Sequence, residues 1–387
     1  MKITRVETIP LALPLMKPMV MAGRSFAKTK AVLVCVETTG RYPGWGEASA
    51  APLLTGETIP SILAAVEVIA DAIVGQDPRN LTALAQVIHR AIVGNTAAKA
   101  AVDMALHDAV ARELNVPLYR ILGGATASEF ECLWLVGNSD REKDIAEVKA
   151  KASEGFKCFK LKVANGDLLE EARTFDEMRA ALDPRFMLCV DANGGWLVDD
   201  GLRFVRLVEQ AKPAFVEQPT AAEDIDGMVR IARATSVPIG ADEGIHDVGD
   251  IRRLIECHAA SGGSFKIMKL GGITRCLTAI RLCQVLSGAV NLSGKVGESS
   301  VANAATLGLA TAAGRLSWGL SLTQHYLAED IVRAPIEIRN GVARPFEGPG
   351  LGIEVDQTKV ARFEIHPGTL SAVHEQREVA LHEQKEV

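Results

Sequence analysis

From about residue 129 onward, short apolar segments alternate with amphipathic helical patterns along the 387-residue chain. Eight of the apolar segments are typical of buried strands, and they run in order as FECLWLVG, CFKLKV, FMLCVDAN, AFVEQP, PIGADE, SFKIMKLGG, AVNLSG and LSWGLSL. The regular spacing of these segments favours a closed parallel α/β barrel. An open doubly wound sheet is the alternative, but no G-x-G-x-x-G motif follows any of the strands.

The beginning of the chain has a different pattern. Three β-rich runs, KITRVETIPLAL, KAVLVCVETTG and GWGEAS, predict an antiparallel meander, and three helical patterns follow, the last of which closes at Gly123 and Gly124. We therefore expect an α+β domain over residues 1–125 and a barrel over 126–330. The remaining segment, 331–387, ends in the charged tail VHEQREVALHEQKEV.

Composition narrows the class of protein. Charged residues make up 23%, hydrophobic residues 48%, and the formal net charge is −6, which indicates a globular enzyme more than a binder of nucleic acid or membrane surfaces. The seven cysteines are an odd number without C-x-x-C spacing, which favours reduced, buried thiols over disulfides or a zinc cluster. The N-terminus lacks the long apolar core of a signal peptide, so we expect a cytoplasmic protein.

Polar residues stand where the predicted strands end, which is the edge at which barrel enzymes place their chemistry. Along the chain they are Lys160 and Lys162, Asp191 and Asn193, Glu217, Asp242 and Glu243, and Lys266. Asp191, Glu217, Asp242 and Lys266 are separated by 26, 25 and 24 residues, about one βα unit each. Successive units thus place three carboxylates side by side, with a lysine on either flank.

Three adjacent carboxylates repel one another unless a cation joins them. An all-oxygen ligand set suits Mg²⁺, and no histidine accompanies the acids at these strand ends as a zinc site would favour. For any single acid, the alternative is a helix N-cap or a loop carboxylate. Lys160 and Lys162 share one face of their strand because side chains alternate with period 2. Taken alone, that pair is also typical of the solvated face of an edge strand.

The motifs KLK, DANGGW, VEQP, ADEG and KIMKLGGI together resemble the muconate lactonizing enzyme (muconate cycloisomerase) subgroup of the enolase superfamily, in the mandelate racemase and muconate lactonizing enzyme family. GWGEAS, the helix that leads into the barrel, GESS and GPGLGIEVD are similar to the family as well. The resemblance implies a (β/α)7β TIM-like barrel with an N-terminal α+β capping domain, to which the C-terminal segment returns. It also implies a homo-oligomer that acts on a small carboxylate.

The resemblance also implies roles for the residues at the strand ends. Asp191, Glu217 and Asp242 match the ligands of Mg²⁺, for which Mn²⁺ could substitute. Lys162 and Lys266 match acid/base lysines on opposite faces of the substrate, and Lys160 matches the group that binds the developing anion. Removing a proton next to a carboxylate builds a second negative charge, which Mg²⁺ and an ammonium group stabilise. Asn193 and Glu243 are expected to support this site.

Some positions depart from family patterns. AVNLSGKVGESS offers no histidine base of the mandelate racemase type, and LSWGLSLTQHYLAED lacks the D-x-D pair of dipeptide epimerases, although SAAPLLTGET is epimerase-like. Lys295 stands where the family usually has an uncharged residue. It could bind a distal substrate carboxylate together with Arg24 of the MVMAGRSF loop, or it could simply pair with Glu298 in a solvated loop.

We therefore predict an isomerase that abstracts or adds a proton α to a carboxylate through an enediolate, in the manner of muconate cycloisomerase and on a dicarboxylate. The alternatives are a racemase or epimerase of an N-acyl amino acid or dipeptide, and a β-elimination like that of a dehydratase or of o-succinylbenzoate synthase. A fold alone does not choose among these reactions. A non-enzymatic alternative is an inactive barrel that binds an acidic metabolite, but such a barrel would be expected to lose a ligand or a lysine.

Overall fold

A computed structural model of the chain describes residues 1–21 and 24–365, and for residues 20, 21, 24 and 25 it describes the backbone alone. The charged tail that ends the sequence lies outside these residues. The bounds of the predicted domains remain a prediction. Within the described part, no helix combines the length and the apolar character needed to cross a bilayer.

The chain begins with an antiparallel three-stranded sheet, as the sequence predicts. Its strands are β1 (Ile3–Met21), β2 (Arg24–Thr38) and β3 (Gly44–Ser49), in the order β1-β2-β3. Four helices follow, namely α1 (Ile59–Ile73), α2 (Leu81–Ala91), α3 (Thr96–Glu113) and α4 (Leu118–Ile121). The third predicted helical pattern is divided into α3 and α4 because Asn115 takes a left-handed conformation, with φ 53°, and Pro117 follows it.

The helix α3 lies directly against β3, and small residues make that contact. A Cβ atom added at Gly46 would lie 1.9 Å from the carbonyl oxygen of Ala101, and one added at Gly44 would lie 1.9 Å from that of Ala105. Only glycine therefore permits this approach of strand and helix. The main hydrophobic core continues from this contact into the space between the barrel strands and their helices.

The central sheet consists of eight parallel strands in sequence order. They are β5 (Leu133–Val136), β6 (Cys158–Lys162), β7 (Met187–Asp191), β8 (Val216–Glu217), β9 (Ile239–Ala241), β10 (Gly262–Phe265), β11 (Ala289–Ser293) and β12 (Leu320–Ser321). A parallel bridge between Cys132 and Leu320 joins the first strand to the last. The sheet is thus closed, which confirms the predicted barrel.

Helices connect the barrel strands. They are α5 (Arg141–Ser153), α6 (Leu168–Ala181), α7 (Val198–Val208), α8 (Ile225–Arg233), α9 (Val248–Glu256), α10 (Ile267–Leu270), α11 (Ile273–Val285) and α12 (Ser300–Ala313). The apolar faces of these helices pack on the barrel, and side chains such as Asp140, Asp167 and Asp247 cap their N-termini.

The sixth barrel strand differs from the prediction. The pattern of SFKIMKLGG predicts a strand throughout, whereas β10 begins earlier, at Gly262, and ends at Phe265. Lys266 is the N-cap residue of α10, which turns the following four residues into a short helix. This turn places Lys269 three residues later on the same side of the chain as Lys266.

After the barrel the chain returns to the N-terminal sheet. The short strand β13 (Val342–Ala343) pairs with β4 (Phe130–Glu131), and α13 (Gln357–Phe363) follows. The backbone N–H of Ile365 then donates to the carbonyl oxygen of Pro10 on β1, with an N···O distance of 2.8 Å.

Candidate active site

The strand register brings the predicted polar residues to one end of the barrel. Lys162 is the Cα partner of Asp191, and Asp191 is the Cα partner of Glu217. Glu217 is in turn opposite Gly240, two residues before Asp242. The carboxyl ends of β6 to β9 therefore carry these side chains as a continuous row.

Each of the three predicted metal ligands makes an ion pair with a different predicted lysine. The pairs are Lys160 with Glu217, Lys162 with Asp191, and Lys266 with Asp242. All three carboxylates are buried, and Lys160 is buried as well. The N···O distance of the Lys162 pair is 2.5 Å. The structure thus brings all six residues together, whereas their catalytic and metal-binding roles remain predictions.

The same charges shift the pKa values of Glu217 and Asp242 in opposite directions. Burial raises the pKa of Glu217 to about 7, with Asp191 adding to the rise and Lys160 opposing it. Burial acts in the same direction on Asp242, but two ammonium groups outweigh it and hold the pKa of that carboxyl well below its usual range. Burial disfavours the charged form of Lys160, yet Glu217 and Asp191 outweigh it and keep the pKa of Lys160 above its usual value.

Sequence reasoning missed three residues that hold these groups. Lys269 is fully buried and its ammonium donates to Asp242 Oδ1 at 2.5 Å and to the carbonyl oxygen of Ser264 at 3.1 Å. The hydroxyl of Ser264 donates to Glu217. Gln218 Oε1 accepts from the backbone N–H groups of Asp242 at 2.9 Å and of Gly244 at 3.0 Å. The K-x-x-K spacing and the glutamine of VEQP were the available signals.

Asn193 and Glu243 also lie in this network. Asn193 Oδ1 accepts from Lys162 Nζ at 2.8 Å, and Asn193 Nδ2 donates to Glu243 Oε1 at 2.9 Å. The second carboxylate oxygen of Glu243 is buried without a hydrogen-bond partner among the described residues. These contacts connect the ends of β6, β7 and β9.

Lys295 and Glu298 belong to a second polar cluster, in the loop after β11. Lys295 Nζ donates to Thr29 Oγ1 of β2 at 2.9 Å, and within the described residues it forms no ion pair with Glu298 or any other acid. Glu298 Oε1 instead accepts from the hydroxyl of Ser49 at 3.3 Å. The side chain of Arg24 lies outside the described residues, so its predicted part in this site remains a prediction.

Glu47 of β3 completes the second cluster and was also missed. Its carboxylate accepts from the backbone N–H of Ser299 at 3.1 Å, and the two residues are 252 positions apart. Burial raises the pKa of Glu47 to about 7, and the nearby charge of Asp330 adds to the rise. Burial raises the pKa of Glu298 to about 8, and the charge of Glu47 adds to that rise. Burial lowers the pKa of Lys295. This cluster joins the N-terminal sheet to the barrel.

The second cluster should make stability depend on pH. The pKa of Glu298 is about 8 in the folded protein, against 4.5 for an ordinary glutamate. Its contribution to the free energy of unfolding is therefore complete below about pH 4.5 and is lost as the pH rises through 8. The neutral variant Glu298→Gln is therefore expected to gain stability relative to the wild type between pH 5 and 8.5, by at most about 1.4 kcal/mol per pH unit.

Thermal unfolding of both proteins across this pH range measures the difference. Glu256→Gln, which breaks an exposed pair with Arg252, is the control and should show a small, constant difference. A difference between Glu298→Gln and wild type that does not change with pH would contradict the assignment of a raised pKa to Glu298.

The donor atoms at the barrel end are carboxylate oxygens, the ligand type that hard divalent cations prefer. Asp191, Glu217 and Asp242 offer carboxylate oxygens from three adjacent strands, and Glu243 adds a buried oxygen that has no hydrogen-bond partner in the described part of the chain. In this conformation each carboxylate forms an ion pair with a lysine. Among the described residues, no three acidic, imidazole or thiol groups lie close enough together to hold a metal ion. A bound cation would have to take the place of these lysine contacts.

The formal charges allow such an exchange. Four carboxylates at this end of the barrel, including Glu243, face four ammonium groups, including Lys269. A divalent cation would add two positive charges to this balanced set. A substrate that carries two negative charges when its α-proton is removed would restore the balance.

Two family models together match most of the chain. Residues 3–123 match the model of the mandelate racemase / muconate lactonizing enzyme N-terminal domain, and residues 143–359 match that of the enolase C-terminal domain-like family. The N-succinyl-L-Arg/Lys racemase of Bacillus cereus is 29% identical, over 94% of this chain and 98% of its own. The L-Ala-D/L-Glu epimerase of Clostridium acetobutylicum is 33% identical, over 89% of this chain and 96% of its own.

Solved structures show the same relationship. The muconate lactonizing enzyme of Pseudomonas fluorescens, crystallised with muconolactone, superposes with a TM-score of 0.90 at 28% identity and covers 94% of this chain and 99% of that one. The chain therefore belongs to the mandelate racemase and muconate lactonizing enzyme family of the enolase superfamily. It is an isomerase, as its relatives are cycloisomerases, racemases and epimerases, and the family's enediolate chemistry fits its barrel end. Enzymes of this family depend on a metal ion.

Proposed function

We propose that this enzyme removes or adds a proton α to a carboxylate with the help of one Mg²⁺ ion, for which Mn²⁺ could substitute. The row of buried carboxylates at the ends of β7, β8 and β9, flanked by lysines from β6 and β10, is the observation that carries the proposal. Asp191, Glu217 and Asp242 would hold the ion. When bound, a divalent cation polarises the substrate carboxylate and stabilises the second negative charge of the enediolate.

The lysines supply the proton chemistry. Lys162 and Lys266 stand at the ends of β6 and β10, on either side of the three carboxylates, so each can reach one face of a substrate bound between them. One takes the α-proton, and the other can deliver a proton to the opposite face, which inverts the centre. Lys160 keeps its charge because Glu217 and Asp191 hold its pKa above the usual value, and it stabilises the enediolate oxygen.

Exchange of α-protons tests this proposal without knowledge of the final product. Carboxylates such as muconolactone, N-succinyl amino acids and Ala-Glu dipeptides are incubated with the enzyme and Mg²⁺ in deuterated water. NMR should show loss of the α-proton signal from at least one of them, and chelation of the metal should stop the loss. A lack of exchange from every carboxylate, with correctly folded and metal-loaded protein, would contradict the proposal.

A dicarboxylate is the substrate class that the second cluster favours. Lys295 is half-buried, donates to a hydroxyl group of β2, and forms no ion pair within the described residues. Its ammonium group can therefore bind an anionic group of the substrate. Relatives named for muconate, for N-succinyl amino acids and for Ala-Glu are consistent with a second carboxylate. Lactonization, racemization and β-elimination all remain compatible with such a substrate, as each can share the enediolate.

The variant Lys295→Met should reduce the preference for a dicarboxylate over its matched monocarboxylate. The expected loss in the ratio of the two kcat/KM values is at least about thirtyfold, or about 2 kcal/mol, because one partner of a buried charge pair is removed. The exposed Lys143 provides the control variant Lys143→Met, for which the ratio should be unchanged. If Lys295→Met also leaves the ratio unchanged, Lys295 does not contact the substrate.

A further inference from the structure

The side-chain amide of Asn193 connects Lys162 to a carboxylate that comes from another strand. Its oxygen accepts from Lys162 Nζ at 2.8 Å, and its nitrogen donates to Glu243 Oε1 at 2.9 Å. A carboxylate only accepts hydrogen bonds, so Glu243 fixes which end of the amide it faces. The oxygen of Asn193 is thereby turned toward the lysine.

Lys162 is confined on its other sides. A Cβ atom added at Gly137 would lie 3.0 Å from the Cβ of Lys162 and 3.2 Å from its Cγ, so the backbone at Gly137 forms a wall along the lysine stem. Its Nζ donates to Asp191 Oδ2 at 2.5 Å as well as to Asn193. If a bound cation takes the place of the Asp191 contact, the bond to Asn193 remains to direct the amine of Lys162 toward the substrate proton.

Lys266 lacks such an arrangement. Among the described residues, its ammonium group donates only to Asp242, and no amide or second carboxylate accepts from it. The two lysines that the proposed function places on opposite faces are therefore held in different ways. Only one of them is connected to Asn193.

We propose that Asn193 and Glu243 are positioning residues for Lys162 and serve one face of the substrate only. This inference rests on the proposed roles of Lys162 and Lys266. Loss of the amide should leave Lys162 in place but with its Nζ misoriented relative to the α-proton of the substrate, whereas proton transfer through Lys266 should continue. The consequence is a defect that depends on the handedness of the substrate.

The variant Asn193→Gly isolates the amide. Asn193 has φ 45°, a left-handed conformation that glycine adopts without strain, so the substitution removes the side chain and keeps the backbone. Asn95→Gly is the matched control, because Asn95 is half-buried, has φ 50° as the N-cap residue of α3, and donates from its side-chain amide to the carbonyl oxygen of Val93 rather than to a residue of the proposed site. Glu243→Gln is the second variant, since an amide at this position can donate or accept and no longer fixes the direction of Asn193.

Exchange of the α-proton is measured in deuterated water with Mg²⁺ for each enantiomer of N-succinylarginine, and Lys162→Ala shows which enantiomer depends on Lys162. For that enantiomer we expect Asn193→Gly to lower the exchange rate about a hundredfold, the scale of a misplaced catalytic group, with KM nearly unchanged. Glu243→Gln should lower it less. Exchange from the other enantiomer should stay close to the wild-type rate, because Lys266 keeps its own contact with Asp242.

Equal losses from both enantiomers, or no loss from either, would overturn the inference. If the wild type exchanges neither enantiomer, the proposed activity toward this probe has failed, and crystal structures of the Mg²⁺-loaded wild type and Asn193→Gly then decide the positioning question. Lys162 Nζ should be displaced or poorly ordered in the variant while Lys266 Nζ keeps its place. An unchanged Lys162 Nζ in the variant would refute the positioning role.

Discussion

Replacing Lys266 with alanine is expected to abolish α-proton exchange from one enantiomer of a chiral carboxylate substrate and to leave exchange from the other. The two proposed acid/base lysines flank the row of carboxylates from β6 and β10, so each can reach only one face of the substrate. Loss of a general base typically costs about 10² to 10⁴ in rate. NMR in deuterated water, with the separate enantiomers, measures the two rates.

The retained rate is an internal control for this variant. Because Lys269 still pairs with Asp242 when Lys266 is removed, the site should remain folded and able to bind metal. Exchange from the enantiomer that uses Lys162 then shows directly that the protein is intact. Wild-type rates from both enantiomers would refute the role of Lys266, whereas loss of both rates in a folded, metal-binding variant would show that the two lysines do not act on separate faces.

Replacing Glu217 with glutamine should weaken Mg²⁺ binding by about a hundredfold or more. A residue that only supports a ligand costs about 10- to 100-fold in metal affinity, and loss of a direct carboxylate ligand should reach at least the upper end of that range. The variant also leaves the buried Lys160 without its carboxylate partner, which typically costs about 3 to 5 kcal/mol of stability in the metal-free protein. Titration calorimetry measures the affinity, and thermal unfolding measures the stability.

Glu131→Gln is a suitable control for the metal experiment. It removes a carboxylate from an exposed pair with Lys157 and should change neither the affinity nor the stability by more than about 1 kcal/mol. Unchanged Mg²⁺ affinity in Glu217→Gln would show that the row of carboxylates is not the metal site, even if the stability falls as expected.

The barrel and most of its polar end could be predicted because both follow from local patterns. Apolar strands that end in Asp191, Glu217 and Asp242 recur at nearly constant spacing, and parallel register brings the ends of neighbouring strands together. The strand residues alone are therefore enough to predict where these groups lie, and the helices between the strands are not needed for that prediction.

What the sequence did not reveal depends on contacts that local patterns do not encode. The helical turn after Phe265 directs Lys269 back onto Asp242, although KIMKL by itself is equally compatible with a strand. The bond between Glu47 and Ser299 joins residues 252 positions apart, and no periodicity relates them. One alternative for Lys295 is a pair with Glu298, whereas a threonine of the first sheet accepts from it, and its contact with a substrate stays a prediction.

The bonds between the N-terminal sheet and the loop after β11 also constrain how such enzymes can be recombined. Glu47 and Thr29 come from the sheet, and their partners Ser299 and Lys295 come from the barrel, so polar groups of each half are hydrogen-bonded to the other half. A chimaera that joins this sheet to a barrel without a serine at this position would deprive the buried Glu47 of the hydroxyl group that donates to it. Domain grafting between family members therefore requires that the residues that bond across this interface be exchanged together, even though they are far apart in the sequence.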